Sequence, residues 1–198
     1  MTDLPGRYPI ISDQVSKEEL RVIMRELQTA LTVPGDVVEF GCYVGTTSLF
    51  LQRITGPAGK TLHVYDSFAG LPPKTLADQS PAGAQYKPGE LAATKAQLIT
   101  NFKHAGLPLP VIHKNWFADL LPGDVPEPIC FAYLDGDFYE SIHDSLRLVW
   151  PKLSPGAVVV VDDYQHEALP GAQKAVDDWL RTHPARLRVQ ASLAIITR

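Results

Sequence analysis

Four aspartates stand in two close pairs, Asp135-Gly136-Asp137 and Asp162-Asp163. Each pair follows a run of apolar residues, Ile129 to Leu134 and Ala157 to Val161. Carboxylates gathered in one small region repel one another unless protons, bases or a cation compensate. A hard divalent cation is the simplest compensation, and an all-oxygen donor set favours Mg²⁺ over zinc or copper. Such an ion holds two neighbouring substrate oxygens and lowers the pKa of a hydroxyl, so that an alkoxide or phenolate forms near neutral pH. A carboxylate outside the metal's shell can then take the proton. On a regular strand Asp162 and Asp163 would point to opposite faces. Both reach one ion only where the strand has already ended, and Tyr164-Gln165-His166 beyond them reads as loop. The competing role for each acid is to cap the helix or turn that follows. His143, on a helix, and His166, just past Asp163, are further candidate bases, against the commoner role of a solvated or packed histidine.

A second constellation lies upstream. The apolar run Val37 to Phe40, bounded by Pro34-Gly35, reads as a buried parallel strand. Gly41 and Gly45 follow it, and Thr46 to Ile54 continues as a helix. Strand, glycine turn and helix let a nucleotide-like ligand lie against bare backbone at a helix N-terminus. The glycines fit because a Cβ would block close approach and one of them needs positive φ. A turn with no ligand is the plain alternative. The three-glycine dinucleotide fingerprint is absent, which weighs against a nicotinamide oxidoreductase. Thr61 to Tyr65 is the next strand, with Asp66 at its tip, where such folds bind a ribose hydroxyl pair. Capping of the turn with Ser67 is its alternative role. Trp116 and Phe117 either stack near an adenine or pack in the core.

The remaining elements must position these groups. Residues 1–15 read as an extended arm. Ser16 and Glu19 form a capping box ahead of a helix to about Thr32 whose apolar face is Leu20, Ile23, Met24, Leu27 and Leu31. Residues 69–93, rich in Pro, Gly and Ala to about Glu90, read as a mobile lid loop at the ligand-binding edge. Leu91 to Phe102, Tyr139 to Val149 and Pro170 to Thr182 read as helices, and Val111 to His113 as a short strand. Pro151 to Gly156 turns the chain, and 186–190 with 193–198 make an antiparallel hairpin. The alternation predicts one α/β domain over 1–198, with an N-terminal arm and helix over 1–35. It is a Rossmann-like doubly wound sheet of about seven strands, the last antiparallel, with helices on both faces.

The chain has 198 residues and a net charge of −4, its charges spread throughout. No basic stripe points to nucleic acid, and no polybasic segment or long apolar run points to a membrane. Met1 to Pro9 lacks the apolar centre of a secretory signal. Two isolated cysteines, Cys42 and Cys130, suit packing in a reducing compartment. Together these features predict a cytoplasmic protein.

Glu39-Phe-Gly41-Cys-Tyr-Val-Gly45 resembles motif I of S-adenosylmethionine (SAM)-dependent methyltransferases. With Val64 to Pro73, Tyr133 to Ser141, Val161 to Tyr164, Pro151 to Gly156 and Gly171 to Trp179, the stretch from about Val37 to Leu180 resembles the macrocin O-methyltransferase (TylF-like) family. The resemblance implies bacterial, SAM- and Mg²⁺-dependent methylation of sugar hydroxyls in natural products. It implies metal ligation by Asp135, Asp162 and Asp163, with Asp137 as general base; His166, from its place in the loop after Asp163, remains a further candidate catalytic residue. The implied SAM-binding set is Glu39, Gly41, Cys42, Tyr43, Gly45, Thr46 and Ser48, then Asp66, Ser67 and Phe68, then Trp116, Phe117 and Asp135. Homodimers are common in such a family. Members acting on large glycosides carry longer N-terminal and lid segments, so the acceptor here is smaller or the site more open. The residues leave a sugar and a catechol-like acceptor both open, and beside them a non-catalytic SAM-binding partner subunit.

Overall fold

The computed structural model describes residues 3–198, so the first two residues of the expected arm lie outside it. Among the described residues seven strands form one sheet. They are β1 (Asp36–Phe40), β2 (Leu62–Asp66), β3 (Val111–Lys114), β4 (Ile129–Leu134), β5 (Leu153–Val161), β6 (Arg186–Gln190) and β7 (Leu193–Thr197), in the order β3-β2-β1-β4-β5-β7-β6. β1 to β5 pair in parallel, and β7 runs antiparallel to both β5 and β6. The strand order reverses between β1 and β4, which opens a crevice outside their C-terminal ends.

Among the described residues the α-helices are α1 (Leu4–Arg7), α2 (Lys17–Ala30), α3 (Thr46–Thr55), α4 (Lys95–His104), α5 (Tyr139–Val149) and α6 (Pro170–Thr182). Period-two alternation in the strands makes two cores. Val37, Phe131, Tyr133, Val158 and Val160 pack with α2, α3 and α4 through Leu27, Phe50 and Phe102. Val38, Phe40, Ala132, Leu134, Val159 and Val161 pack with α5 and α6 through Ile142, Leu146, Ala172 and Val176. β4 is buried along its whole length because both faces are covered. The capping box of α2 is present, with the Glu19 amide donating to Ser16 Oγ and the Ser16 amide to Glu19 Oε2. Cys42 and Cys130 are buried and unbridged. No helix among the described residues is long and apolar enough to cross a membrane.

Three boundaries differ from the sequence reading. The arm contains the short helical turn α1. Helix α4 starts at Lys95, because Leu91 takes a left-handed φ of +56° and Thr94 supplies the cap to the Gln97 amide. Strand β5 starts at Leu153, so exposed Pro155 and Gly156 lie inside it beside a register shift against β4.

The segment 69–93 is also more tied down than a free flap. Leu71 and Glu90 close its base, with the Leu71 amide donating to Glu90 O and the Gly89 amide to Leu71 O. Leu71 packs with Phe138 and Leu169 in a small core of its own. In the middle, fully buried Asp78 accepts hydrogen bonds from the Thr75 amide and hydroxyl and, at 2.7 Å, from the Tyr139 amide at the start of α5. A carboxylate there satisfies an otherwise free helix N–H and faces the positive end of the helix dipole.

Candidate active site

The pairing of β4 with its neighbours runs one residue past the strand ends. The Asp135 amide donates to Phe40 O at 2.8 Å and the Asp162 amide to Leu134 O at 2.9 Å. This sets Asp135 and Asp162 side by side on the face that carries Tyr133 and Val160. The Tyr133 hydroxyl reaches both carboxylates, 3.2 Å from Asp135 Oδ2 and in a shorter hydrogen bond to Asp162 Oδ2. The requirement that the strand end before Asp163 is met: Asp163 and Asp137 take left-handed φ of +56° and +61°. Tyr43 and Phe68 do the same at the tips of β1 and β2. Each such non-glycine residue costs about 1–2 kcal/mol, and strain of this kind collects at functional sites.

These tips form the floor of a cavity of about 690 Å³. Asp135, Asp137, Asp162 and Asp163 all line it, as do Gly41, Cys42, Tyr43, Asp66, Ser67, Trp116, Phe117 and His166. The structure adds carboxylates that the sequence reading did not single out for the site: Asp13, Glu19, Asp119, Glu140 and Asp144. No lysine or arginine lines the cavity among the described residues. Burial comes first in raising every one of the four strand-tip acids, and repulsion between neighbours adds to it for Asp135, Asp137 and Asp163. Asp137 is pushed up to about 7 and Asp162 to about 6, with Asp135 and Asp163 also well above the usual carboxylate range.

The other end of the cavity is built differently. Asp66 Oδ2 accepts from the amides of Cys42 and Tyr43 at 2.9 and 3.2 Å, and its Oδ1 from the Phe68 amide at 2.6 Å. This one carboxylate fastens the glycine turn after β1 to the tip of β2. Gly41, at φ +86°, is required for chain-to-chain approach: a Cβ would sit 1.8 Å from the Asp135 carbonyl oxygen. Gly45, at φ +92°, leaves room for Leu98 Cδ1. Phe117 stands edge-on to Phe40 with centroids 5.2 Å apart, joining the core while reaching the cavity, and Trp116 is 40% exposed at its rim.

Not every sequence candidate reaches the cavity wall. Glu39 is fully buried behind it, accepts a hydrogen bond from Ser48 Oγ, leaves Oε1 without a partner, and is pushed up to about 8 by burial. Thr46 Oγ1 pairs with Ser12 Oγ at 2.8 Å, and Phe68 packs on the α2-side core. Gly45, Thr46, Ser48, Glu39 and Phe68 therefore shape the turn from behind. His166 stands edge-on to Tyr86 and keeps a buried Nδ1 unpartnered. His143 stacks on Tyr139 and meets Trp179, away from the cavity. Asp13, Tyr86 and Leu91 enter from the arm and the 69–93 segment, whose sequences carry no periodic signal. Glu140, Ser141 and Asp144 share a face of α5, a helical spacing that sequence could have exposed.

The donor chemistry at the strand tips suits a hard cation: all oxygen, with no lysine or arginine beside it among the described residues, and lining the cavity. Among the described residues, however, no three Asp, Glu, His or Cys side chains stand ready as a ligand group. The fit is one of chemistry, with the Tyr133 hydroxyl bridging two of the oxygens.

Comparisons with known proteins agree with this architecture. The O-methyltransferase NovP superposes with a TM-score of 0.77 at 27% identity, over 90% of this chain and 78% of that one. A calicheamicin methyltransferase shares the fold, with a TM-score of 0.78 at 20% identity, over 90% of this chain and 77% of that one. A tetracenomycin-C rhamnosyl 4'-O-methyltransferase of Streptomyces olivaceus is 36% identical over 74% of this chain, which spans 58% of that relative. Mycinamicin III 3''-O-methyltransferase of Micromonospora griseorubida is 30% identical over 89% of this chain and 73% of its own length. The family model described as macrocin-O-methyltransferase (TylF) matches residues 8–192, and the chain belongs to that family.

Proposed function

We propose that this chain is a SAM- and Mg²⁺-dependent O-methyltransferase whose acceptor is a hydroxyl on a sugar unit of a small natural product. The observation that carries the reading is the set of four aspartates, three half-buried and Asp162 buried, lining one cavity that no lysine or arginine lines among the described residues. A cationic methyl donor and a divalent cation both complement such a wall. The relatives' names, a rhamnosyl 4'-O-methyltransferase among them, supply the acceptor class.

SAM supplies an electrophilic methyl group when bound. Asp66 and Ser67 would hold its ribose, and Trp116 and Phe117 its adenine. Asp66 is held for this by three backbone amides, so its orientation does not depend on the ligand. Asp135, Asp162 and Asp163 would hold Mg²⁺, which supplies charge to lower the pKa of the acceptor hydroxyl. Asp137 takes the hydroxyl proton. Its carboxyl, at about 7, is matched to proton transfer near neutral pH. His166 lines the same cavity and is a further candidate catalytic residue, although its unpartnered Nδ1 is buried. Much of the acceleration comes from holding the oxygen in line with the methyl group. Assembly as a homodimer belongs to the same reading, and sedimentation checks it.

The test is calorimetric titration of S-adenosylhomocysteine (SAH) into metal-stripped protein, repeated with Mg²⁺, then a panel of glycoside acceptors with labelled SAM. Micromolar binding, roughly −8 kcal/mol, followed by a labelled sugar ether supports the proposal. No SAH binding under either condition overturns it.

A further inference from the structure

We propose that Tyr133 is a positioning residue for the cation-holding pair: its hydroxyl sets the spacing and orientation of Asp135 and Asp162. The inference rests on the Mg²⁺ reading above and concerns a residue outside the expected ligand set. Tyr133 is the next-to-last residue of β4, in an apolar run, fully buried with the α2-side core around its ring. Alternation along β4 puts it under Asp135, two residues on, and the Leu134–Val161 register brings Asp162 alongside. Its hydroxyl is within hydrogen-bond reach of one oxygen from each carboxylate.

A phenol in this place does two things. It supplies the polar contact to the inner oxygens, so neither carboxylate can rotate back into the core where nothing else would receive it. It also leaves the outer oxygens, Asp135 Oδ1 and Asp162 Oδ1, available toward the cavity, although Asp162 Oδ1 also accepts the Asp163 amide. Outer partners that orient ligating carboxylates affect metal affinity about 10–100-fold when removed. The neighbouring strand contributes no substitute: Glu39, paired in register with Tyr133, is turned toward Ser48.

The experiment uses the full chain, metal-stripped and saturated with SAH, titrated with Mg²⁺ by calorimetry. Tyr133→Phe is expected to weaken Mg²⁺ binding about 10–100-fold while leaving SAH affinity unchanged, a split that a merely structural hydroxyl would not produce. A folded Tyr133→Phe protein that binds Mg²⁺ as the wild type does overturns the proposal. Wild-type protein that binds SAH but no Mg²⁺ overturns the metal reading beneath it, a distinct outcome. If the Phe variant does not fold, 3-fluorotyrosine at position 133 keeps the hydroxyl, and its fluorine resonance must move on Mg²⁺ saturation. A stationary resonance would also defeat the proposal.

Discussion

The two ends of the cavity treat the same residue type in opposite ways. At the β1–β2 end one carboxylate, Asp66, is met by three backbone amides. At the β4–β5 end four carboxylates share a single phenol and one backbone amide from their own turn. The first end is complete as folded, because its charge is answered by the chain. The second holds charge that the chain does not answer. On the proposed function, the first would be a preformed nucleoside end and the second an acceptor end that a cation completes.

Substituting one acid at each end should break this contrast most sharply. Asp137→Asn is expected to lower turnover about 10²–10⁴-fold and leave SAH affinity intact, as read by steady-state rates and calorimetry on one preparation. Asp66→Ala should do the reverse in kind. It frees three amides and unfastens the glycine turn, at a cost of about 3 kcal/mol in stability and with a marked loss of SAH binding. Equal loss of SAH affinity in both variants would mean that the ends are not separable.

Proton linkage sharpens the comparison. Asp137, Asp162 and Glu39 are raised to about 7, 6 and 8 from ordinary values near 4. Between those values the folded chain binds more protons than the unfolded one, so these groups' stability is full below about pH 4 and is lost as pH rises through 6 to 8. Each contributes a slope of about 1.4 kcal/mol per pH unit inside its own window. Thermal melts of metal-free protein should therefore fall across this range, and Mg²⁺ should flatten the fall. A metal-free profile that is already flat would contradict the unanswered-charge account. The smallest effect is a backbone control. Gly59→Ala, at φ +69° with nothing near its Cβ, should cost about 1 kcal/mol, whereas Gly41→Ala must displace the β4 tip and should cost several times more.

The sequence shows the sheet clearly where periodicity is strong. β4, α5 and α6 are bounded at the residues their apolar runs and Pro170 suggest, and the antiparallel last strand follows from the short 190–193 turn. Legibility fails where a contact joins distant residues without a local pattern. Asp78 is an isolated acid in a Pro- and Gly-rich stretch, and its partner amide belongs to Tyr139, 61 positions away. Leu91 looks helical by composition, yet its positive φ delays α4 to Lys95. Of the acids, the strand-tip pairs announce themselves by repetition. Asp13 and Glu19 reach the same cavity from the arm and the cap of α2, a convergence that only the tertiary fold displays.

The buried Asp78 anchor also bears on how this scaffold could be re-tailored. A transplanted segment between residues 72 and 88 would be welcomed by α5 only if it brought an acid to the same place. Gly171 would have to stay as well, because a Cβ there lies 1.9 Å from Asp78 Oδ1. Variation is then confined to the arc beyond the anchor, residues 79–88, which carries Tyr86 to the cavity, and it must keep the Ser80 Oγ bond to Glu167 O and the glycine at 83, whose Cβ would lie 2.4 Å from Ala168 O. Loop exchange aimed at new acceptors should thus be confined to that arc, with the anchor left as a fixed splice point.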